Sequence, residues 1–300
     1  MIKKGIRFLN ELKALSKTLT YIRESLGRIE SRQIMSFDVG IAGAEFKVYS
    51  QSGEDGIIQY LVNKLEVKDK RFIEFGVENY MESNTRFLTL NNYWSGLIID
   101  GNEENITYIK NDPIYWRTNI KAVHSFITKD NINDLFKNNG ITGEIGLLSI
   151  DIDGNDYWVW KEIEVVNPAI IVAEYNSLFG SERKVTVPYK ADFVRTNEHF
   201  SHTYYGASIG ALTHLANERG YKLVTTNRSG NNVFYVREDL MDGLKELSAQ
   251  EAFRPINFRE SHNEAGQLVF PNFDLARKII GEMKVYDIEL NKEVTVNSLW

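Results

Sequence analysis

The chain contains no cysteine, which excludes disulfides, thiolate nucleophiles and cysteine-ligated metals. No apolar run reaches the ~20 residues that a transmembrane helix needs. Basic residues do not dominate. There are 35 Lys and Arg against 41 Asp and Glu, a net charge of −6 with histidine neutral. That balance argues against a nucleic-acid binder held by bulk charge. The first residues include lysines but no uninterrupted apolar stretch with a small-residue cleavage site, so no signal peptide is expected and a soluble, cytoplasmic chain is. There is no internal repeat and no low-complexity tract.

What is present is a strand–turn–helix–strand pattern. Phe72-Ile73-Glu74-Phe75-Gly76 is followed by Glu82-Ser83-Asn84-Thr85 and then by Gly96-Leu97-Ile98-Ile99-Asp100. An acid and a glycine end the first strand, and an aspartate ends the second. Open parallel sheets hold an adenosine in this way, with small backbone at the first turn and a carboxylate for the ribose. The turn is not G-x-G-x-x-G, because Val77, Glu78, Asn79, Tyr80 and Met81 follow Gly76. A pyrophosphate needs close backbone approach and a positive helix N-terminus. Glu78 and Glu82 would repel it, whereas a nucleoside carrying a cationic sulfonium tolerates them. The acids therefore favour S-adenosylmethionine (SAM) over a nicotinamide dinucleotide.

The chain divides into an N-terminal helix and linker at 1–45, an α/β body at 46–247 and an irregular-looking extension at 248–300. Leu12, Leu15, Leu19, Ile22, Leu26 and Ile29 alternate spacings of three and four, a heptad seam. Residues 1–32 hold eight basic and three acidic side chains, a net of +5 that leaves −11 for the rest. Such a helix can pair with a copy of itself, pack on the body or lie on an anionic membrane. In the body, helices are expected at 51–65, 84–91 (Ser83 as N-cap), 103–110, 131–138, 157–163 and 207–219. Strands are expected at 71–75, 96–100, 120–123, 145–152, 169–175, 221–225 and 232–236. A long polar loop fills 178–203. The sum is a Rossmann-like, doubly wound seven-stranded sheet with a reversed edge.

The sharpest chemical candidate is Asp151-Ile152-Asp153-Gly154-Asn155-Asp156, at the end of the fourth strand. Glu174-Tyr175-Asn176 ends the fifth. Ligands gather at the carboxyl edge of such sheets, and acids after a buried strand need solvent, a partner or a metal. Oxygen donors of this kind suit Mg²⁺ or Mn²⁺, and a spare carboxylate can take a proton. The structural alternative is that Asp153 and Asp156 cap the next helix. His199 and His202 lie in the long loop as candidate bases or substrate contacts. Ser208 reads as helix-start chemistry. Tyr49-Ser50-Gln51-Ser52-Gly53-Glu54-Asp55 is a polar run placed to fold over a cofactor.

Together these pieces resemble the FkbM-type branch of class I SAM-dependent methyltransferases, over roughly 46–238. The matching stretches are YSQSGEDGII (49–58), FIEFGVENYMESNTRFL (72–88), WSGLIIDG (94–101), LLSIDIDGNDYWVW (147–160), IIVAEYN (170–176), YYGASIGAL (204–212), and GYKLVTTN with NNVFYV (220–236). The resemblance implies methyl transfer from SAM to a sugar hydroxyl of a nucleotide sugar, polysaccharide or glycan. Carried over by position, Gln51, Glu74, Gly76, Asn84, Thr85 and Asp100 line the cofactor pocket. By likeness to metal-dependent sugar methyltransferases, Asp151, Glu174 and Asn176 hold a divalent cation and Asp153 is the base, with His199 and His202 nearby. The sequence departs from these patterns at Asp153, where glutamate is common, and at Tyr175, where a second acid stands. A scaffold that retained the fold and lost the chemistry is the alternative.

Overall fold

The computed structural model describes residues 2–37, 39–256 and 261–300. Along the chain the first elements are α1 (Ile2–Ser36), α2 (Glu54–Lys64), β1 (Arg71–Phe75), α3 (Arg86–Asn92), β2 (Ser95–Asp100), α4 (Glu103–Asn111), α5 (Pro113–Arg117) and β3 (Ile120–His124). Next come α6 (Ile132–Asn138), β4 (Gly143–Ile150), α7 (Asp156–Glu162), β5 (Val166–Glu174), β6 (Val185–Thr186), α8 (Arg195–Glu198), α9 (Ile209–Glu218), β7 (Tyr221–Thr226) and β8 (Asn232–Arg237). The last elements are α10 (Ala249–Ala252), β9 (Ser261–His262), β10 (Leu268–Val269), α11 (Phe273–Ile279), β11 (Lys284–Asp287) and β12 (Lys292–Thr295).

Seven strands form one sheet in the order β3-β2-β1-β4-β5-β8-β7. β1 to β5 are parallel, and β8 runs antiparallel to both β5 and β7. This is the doubly wound sheet with a reversed edge that the alternating pattern predicts. The parallel strands are apolar on both faces because helices cover both. Ile73, Ile99, Leu148 and Ile171 pack toward Phe136, Trp160 and Leu212 on one side. Phe72, Ile98, Leu147 and Val172 pack toward Ile57, Leu61, Phe87 and Ile106 on the other. Each such fully buried side chain contributes about 1.5–3 kcal/mol.

α1 docks by its C-terminal half. Ser31 donates to Gln59 Oε1 at 3.0 Å, and the Tyr49 hydroxyl donates to Glu24 Oε1 at 2.6 Å. Gly27 sits so close to the body that a Cβ would lie 2.4 Å from Val48 Cγ2. The leucine seam is on the opposite face and points away from the body.

Two of the boundaries that shift bear on the site. β4 stops at Ile150 rather than 152, because the Asp156 carboxylate accepts from the Ile152 and Gly154 N–H groups and folds 151–154 into a turn. α3 starts at Arg86 rather than 84, because the N–H groups of Asn84 and Thr85 are bound by Glu74. The C-terminal extension is not irregular. β11 pairs with β12 and with β6, which lies in the predicted loop. Phe179, Val187, Phe193, Tyr204, Ile280 and Val285 then share a third apolar core. Strands of two to four residues are too short to show a period in sequence, which is why this subassembly was not legible there.

Candidate functional site

The carboxyl edge of the sheet is built from turns that carboxylates hold shut. Gly76 takes a left-handed φ of +75° at the end of β1, and a Cβ there would lie 1.4 Å from the Asp151 carbonyl oxygen. Glycine is needed for that close approach of two strand ends. The next turn positions are left-handed without being glycine: Glu78 has φ 48° and Tyr80 φ 63°. Such conformations cost about 1–3 kcal/mol each and persist because their neighbours hold them. The Glu78 N–H donates to Asp100 Oδ2 at 2.8 Å, and Arg86 Nη1 donates to the Tyr80 carbonyl at 3.1 Å.

The six residues expected at the cofactor divide into two groups. Glu74 is a buried strut. Its Oε1 accepts from Asn84 N–H, and its Oε2 from the N–H and hydroxyl of Thr85. Asn84 in turn donates to Ser149 Oγ at 3.0 Å. Burial pushes the Glu74 carboxyl up to about 7, against the pull of those bonds. Glu74, Asn84, Thr85 and Gly76 thus tie β1 to α3 and β4. Asp100 and Gln51 are better placed for a ligand. Asp100 Oδ1 accepts from Asn102 N–H and Asn105 Nδ2, and Oδ2 from Glu78 N–H. With roughly four acceptor sites on a carboxylate, one remains for a hydroxyl. Gln51 lines a cleft of about 500 Å³ together with Ser52, Glu174, Arg195, His202 and Tyr205.

The polar run before α2 turns out to be a double clamp. Asp55 Oδ2 accepts from the N–H groups of Val48, Tyr49 and Ser50 and from the Ser50 hydroxyl. Glu54 Oε2 accepts from Ser52 and Gly53 N–H, while Oε1 accepts from Asn227 and Asn232 side chains beside the β7–β8 hairpin. Both acids are buried, and their work is to hold Gln51 and Ser52 at the cleft rim.

At the ends of β4 and β5, Asp151, Asp153 and Glu174 offer carboxylate oxygens all within 4.8 Å of one another. Glu174 is buried and its Oε2 has no hydrogen-bond partner. Burial first, and then the neighbouring carboxylates, hold Asp151 and Glu174 well above the usual carboxylate range. Asp153 takes a left-handed φ of 55° and is ion-paired with Arg195 Nη1. Asp156, the first residue of α7, closes the 151–154 turn rather than capping the helix: burial raises it to about 6, although two N–H groups bind it. Turn closure and clustering therefore fall to different acids, and neither Asp153 nor Asp156 caps α7. Such an oxygen set fits a hard divalent cation. Asn176 lies beside it, but its Nδ2 donates to the Thr203 and Tyr205 carbonyls and its Oδ1 accepts from Leu178 N–H. Its amide therefore shapes the cleft wall.

The histidines sit differently from one another. His199 Nδ1 is engaged by the hydroxyl and N–H of Ser201, and burial lowers its pKa. His202 lines the cleft, with its ring centroid 4.3 Å from that of His262, another lining residue. His262 and Arg195 were not picked out from sequence. Both lie in segments without periodicity, and no motif marks them. Gly206-Ala207-Ser208-Ile209-Gly210 has the G-x-S-x-G spacing of a nucleophile elbow. Ser208 is fully buried there, donates to the Arg183 carbonyl and accepts from Ala211 N–H as the α9 N-cap, so it is not a nucleophile.

No family model matches the sequence, and no curated protein does. Solved structures are similar in outline. The N-terminal domain of EvdMO1 with SAH bound is 13% identical, with 70% of this chain and 95% of that chain covered and a TM-score of 0.40. An O-methyltransferase from Bacillus cereus in complex with SAH is 13% identical, with 69% and 90% covered and a TM-score of 0.38. A SAM-dependent methyltransferase from Clostridium acetobutylicum is 11% identical, with 61% and 90% covered and a TM-score of 0.40. At these values the likeness carries no chemistry, which has to be read from the side chains of this chain. No helix among the described residues is long and apolar enough to cross a membrane.

Proposed function

We propose that the chain is a SAM-dependent O-methyltransferase acting on a sugar hydroxyl in polysaccharide or glycan biosynthesis, with a nucleotide sugar or glycan as acceptor. The observation that carries this is the trio Asp151, Asp153 and Glu174 at the carboxyl edge of β4 and β5, of which Glu174 lines a cleft walled by Gln51, His202 and Tyr205, and Asp153 is paired with Arg195 of the same lining. Acids at that edge suit a cationic sulfonium and a hydroxyl nucleophile.

In the reaction the acceptor oxygen attacks the sulfonium methyl carbon, the carbon–sulfur bond breaks, and S-adenosylhomocysteine leaves. The protein supplies alignment and removes one proton. Asp153 is the group assigned to take it, with 47% of its side chain exposed where Glu174 is buried. Asp100 has room for one ribose hydroxyl. Asp151 and Glu174 would hold a Mg²⁺ or Mn²⁺ ion, or the neighbouring acceptor hydroxyl in its place. A bound ion would lower the pKa of a coordinated hydroxyl. Asp153→Asn is expected to abolish methyl transfer to a responsive nucleotide sugar while sparing SAM affinity; undiminished transfer refutes the assignment. The alternative, a scaffold, is favoured by one observation: the turn after β1 is closed by Asp100 and Glu78 rather than opened by glycines.

We further propose that α1 joins two copies of the chain. Leu12, Leu15, Leu19, Ile22, Leu26 and Ile29 are 45–57% exposed. Gly27, Ser31 and Ile34, on the other face, are buried against the body. The positions flanking the seam are Glu11, Ser16, Thr18, Arg23, Ser25 and Glu30, of mixed sign and without lysine. Flanks of that kind suit a coiled-coil partner; a membrane-surface helix carries basic residues at those edges.

A further inference from the structure

Three carboxylates within 4.8 Å repel one another, and a cation beside them relieves that repulsion. One cation is already in place. Arg195, the first residue of α8, donates through Nη1 to Asp153 Oδ1. Its guanidinium carbon lies 5.2 Å from the centroid of the buried Tyr205 ring, a cation–π distance. The guanidinium is only partly used, since Nε is buried with no hydrogen-bond partner. On the acid side, Glu174 is 8% exposed and its Oε2 is also without a partner. Both residues line the same cleft. The cluster therefore holds a guanidinium at one corner and leaves an orphaned carboxylate oxygen at another.

We propose that Arg195 is the resident cation of this cluster and a built-in competitor for a divalent ion. A hard cation needs several oxygen ligands at about 2.0–2.6 Å, and at Asp153 it would have to share the carboxylate with a guanidinium whose positive charge repels it. With Arg195 in place the guanidinium already neutralises part of the trio's charge and repels a second cation at Asp153. With Arg195 removed all three carboxylates face a divalent ion without that competing charge. Substituting the arginine should therefore create metal affinity. This does not depend on methyl transfer, because it concerns which cation the acids hold.

Arg195 is held over the acids from several directions. The Asn155 side chain donates to the Lys190 carbonyl, and Lys190 pairs with Glu198 on α8. Tyr205 is held by Asn176. Arg195 has 34% of its side chain exposed and is not itself a member of any of the three cores, touching the third only through the Tyr205 ring.

The test is Mn²⁺ binding to the full-length protein, followed by calorimetry or by loss of the free-ion electron paramagnetic resonance signal. Four proteins are compared: wild type, Arg195→Gln, Arg195→Lys, and Arg195→Gln with Asp153→Asn. The expected result is at least tenfold tighter Mn²⁺ binding by Arg195→Gln than by wild type. Lysine at 195, which keeps the charge, should give no such gain, and Asp153→Asn should erase it. Two results overturn the proposal: Arg195→Gln binding Mn²⁺ no more tightly than wild type, or Arg195→Lys gaining as much as Arg195→Gln. Loss of SAM binding in a separate titration would bear on the methyltransferase proposal and leave this one standing.

Discussion

Replacing Glu74 by glutamine tests whether that residue is a strut or a cofactor contact. Burial raises its carboxyl from 4.5 to about 7. Its folded-state pKa lies above its unfolded one, so between these values the native state holds the extra proton. Stability from this group is present below about 4.5 and is lost as pH rises through about 7. The gap corresponds to roughly 3 kcal/mol, at about 1.4 kcal/mol per pH unit. Asp55 and Asp156, each raised to about 6 by burial, titrate in the same direction and remain in the variant. Glutamine cannot titrate, but its amide nitrogen faces donors where Glu74 accepted three bonds, a loss of about 1–3 kcal/mol. Glu74→Gln should therefore be less stable than wild type near about pH 5 and close to it near about pH 8, the difference in slope being on the order of 3 kcal/mol. Urea unfolding at both pH values measures this directly. Thermal melts would show it as about 6 °C, at about 2 °C per kcal/mol for a chain of this size. Parallel pH profiles for the two proteins would refute the buried-strut account, and an intact pH slope with lost SAM binding would return Glu74 to the cofactor.

Gly76→Ala places a Cβ 1.4 Å from the Asp151 carbonyl at a φ of +75°. It should cost more than about 4 kcal/mol or prevent folding, and a melting temperature near wild type contradicts the close approach. Asp100→Ala removes the acceptor that holds the left-handed Glu78. It should cost about 1–3 kcal/mol in unfolding and weaken SAM binding at least tenfold in calorimetry; unchanged SAM affinity would remove Asp100 from the cofactor site. Leu19→Ser with Ile22→Ser, on the exposed seam of α1, should convert a dimer to a monomer in sedimentation without loss of melting temperature. A wild-type monomer at micromolar concentration would count against self-pairing.

The sheet was legible in the sequence because buried parallel strands are mostly apolar segments of five to nine residues, long enough to stand out against turns and helices. Phe72–Phe75 and Leu147–Ile150, each with a single polar residue, lie within two of them. The clustered acids were legible for a related reason: Asp151, Asp153 and Glu174 follow such runs, where an unpartnered charge is costly. Their division of labour was not. Asp153 and Asp156 are three residues apart, and only the fold gives one to Arg195 and the other to two N–H groups. Glu74 looked like a ligand residue because acids at strand ends bind ligands, yet it binds its own turn. Arg195 and His262 sit in segments whose order comes from contacts distant in sequence. The Thr186–Tyr286 pairing spans one hundred residues, and local periodicity contains no trace of it.

The most direct test of the central claim is calorimetric titration of the purified chain with SAM, with and without Mn²⁺. The account predicts micromolar binding that Asp100→Ala weakens and Asp153→Asn leaves unchanged. No SAM binding under either condition would contradict the methyltransferase assignment and leave the sheet as a scaffold.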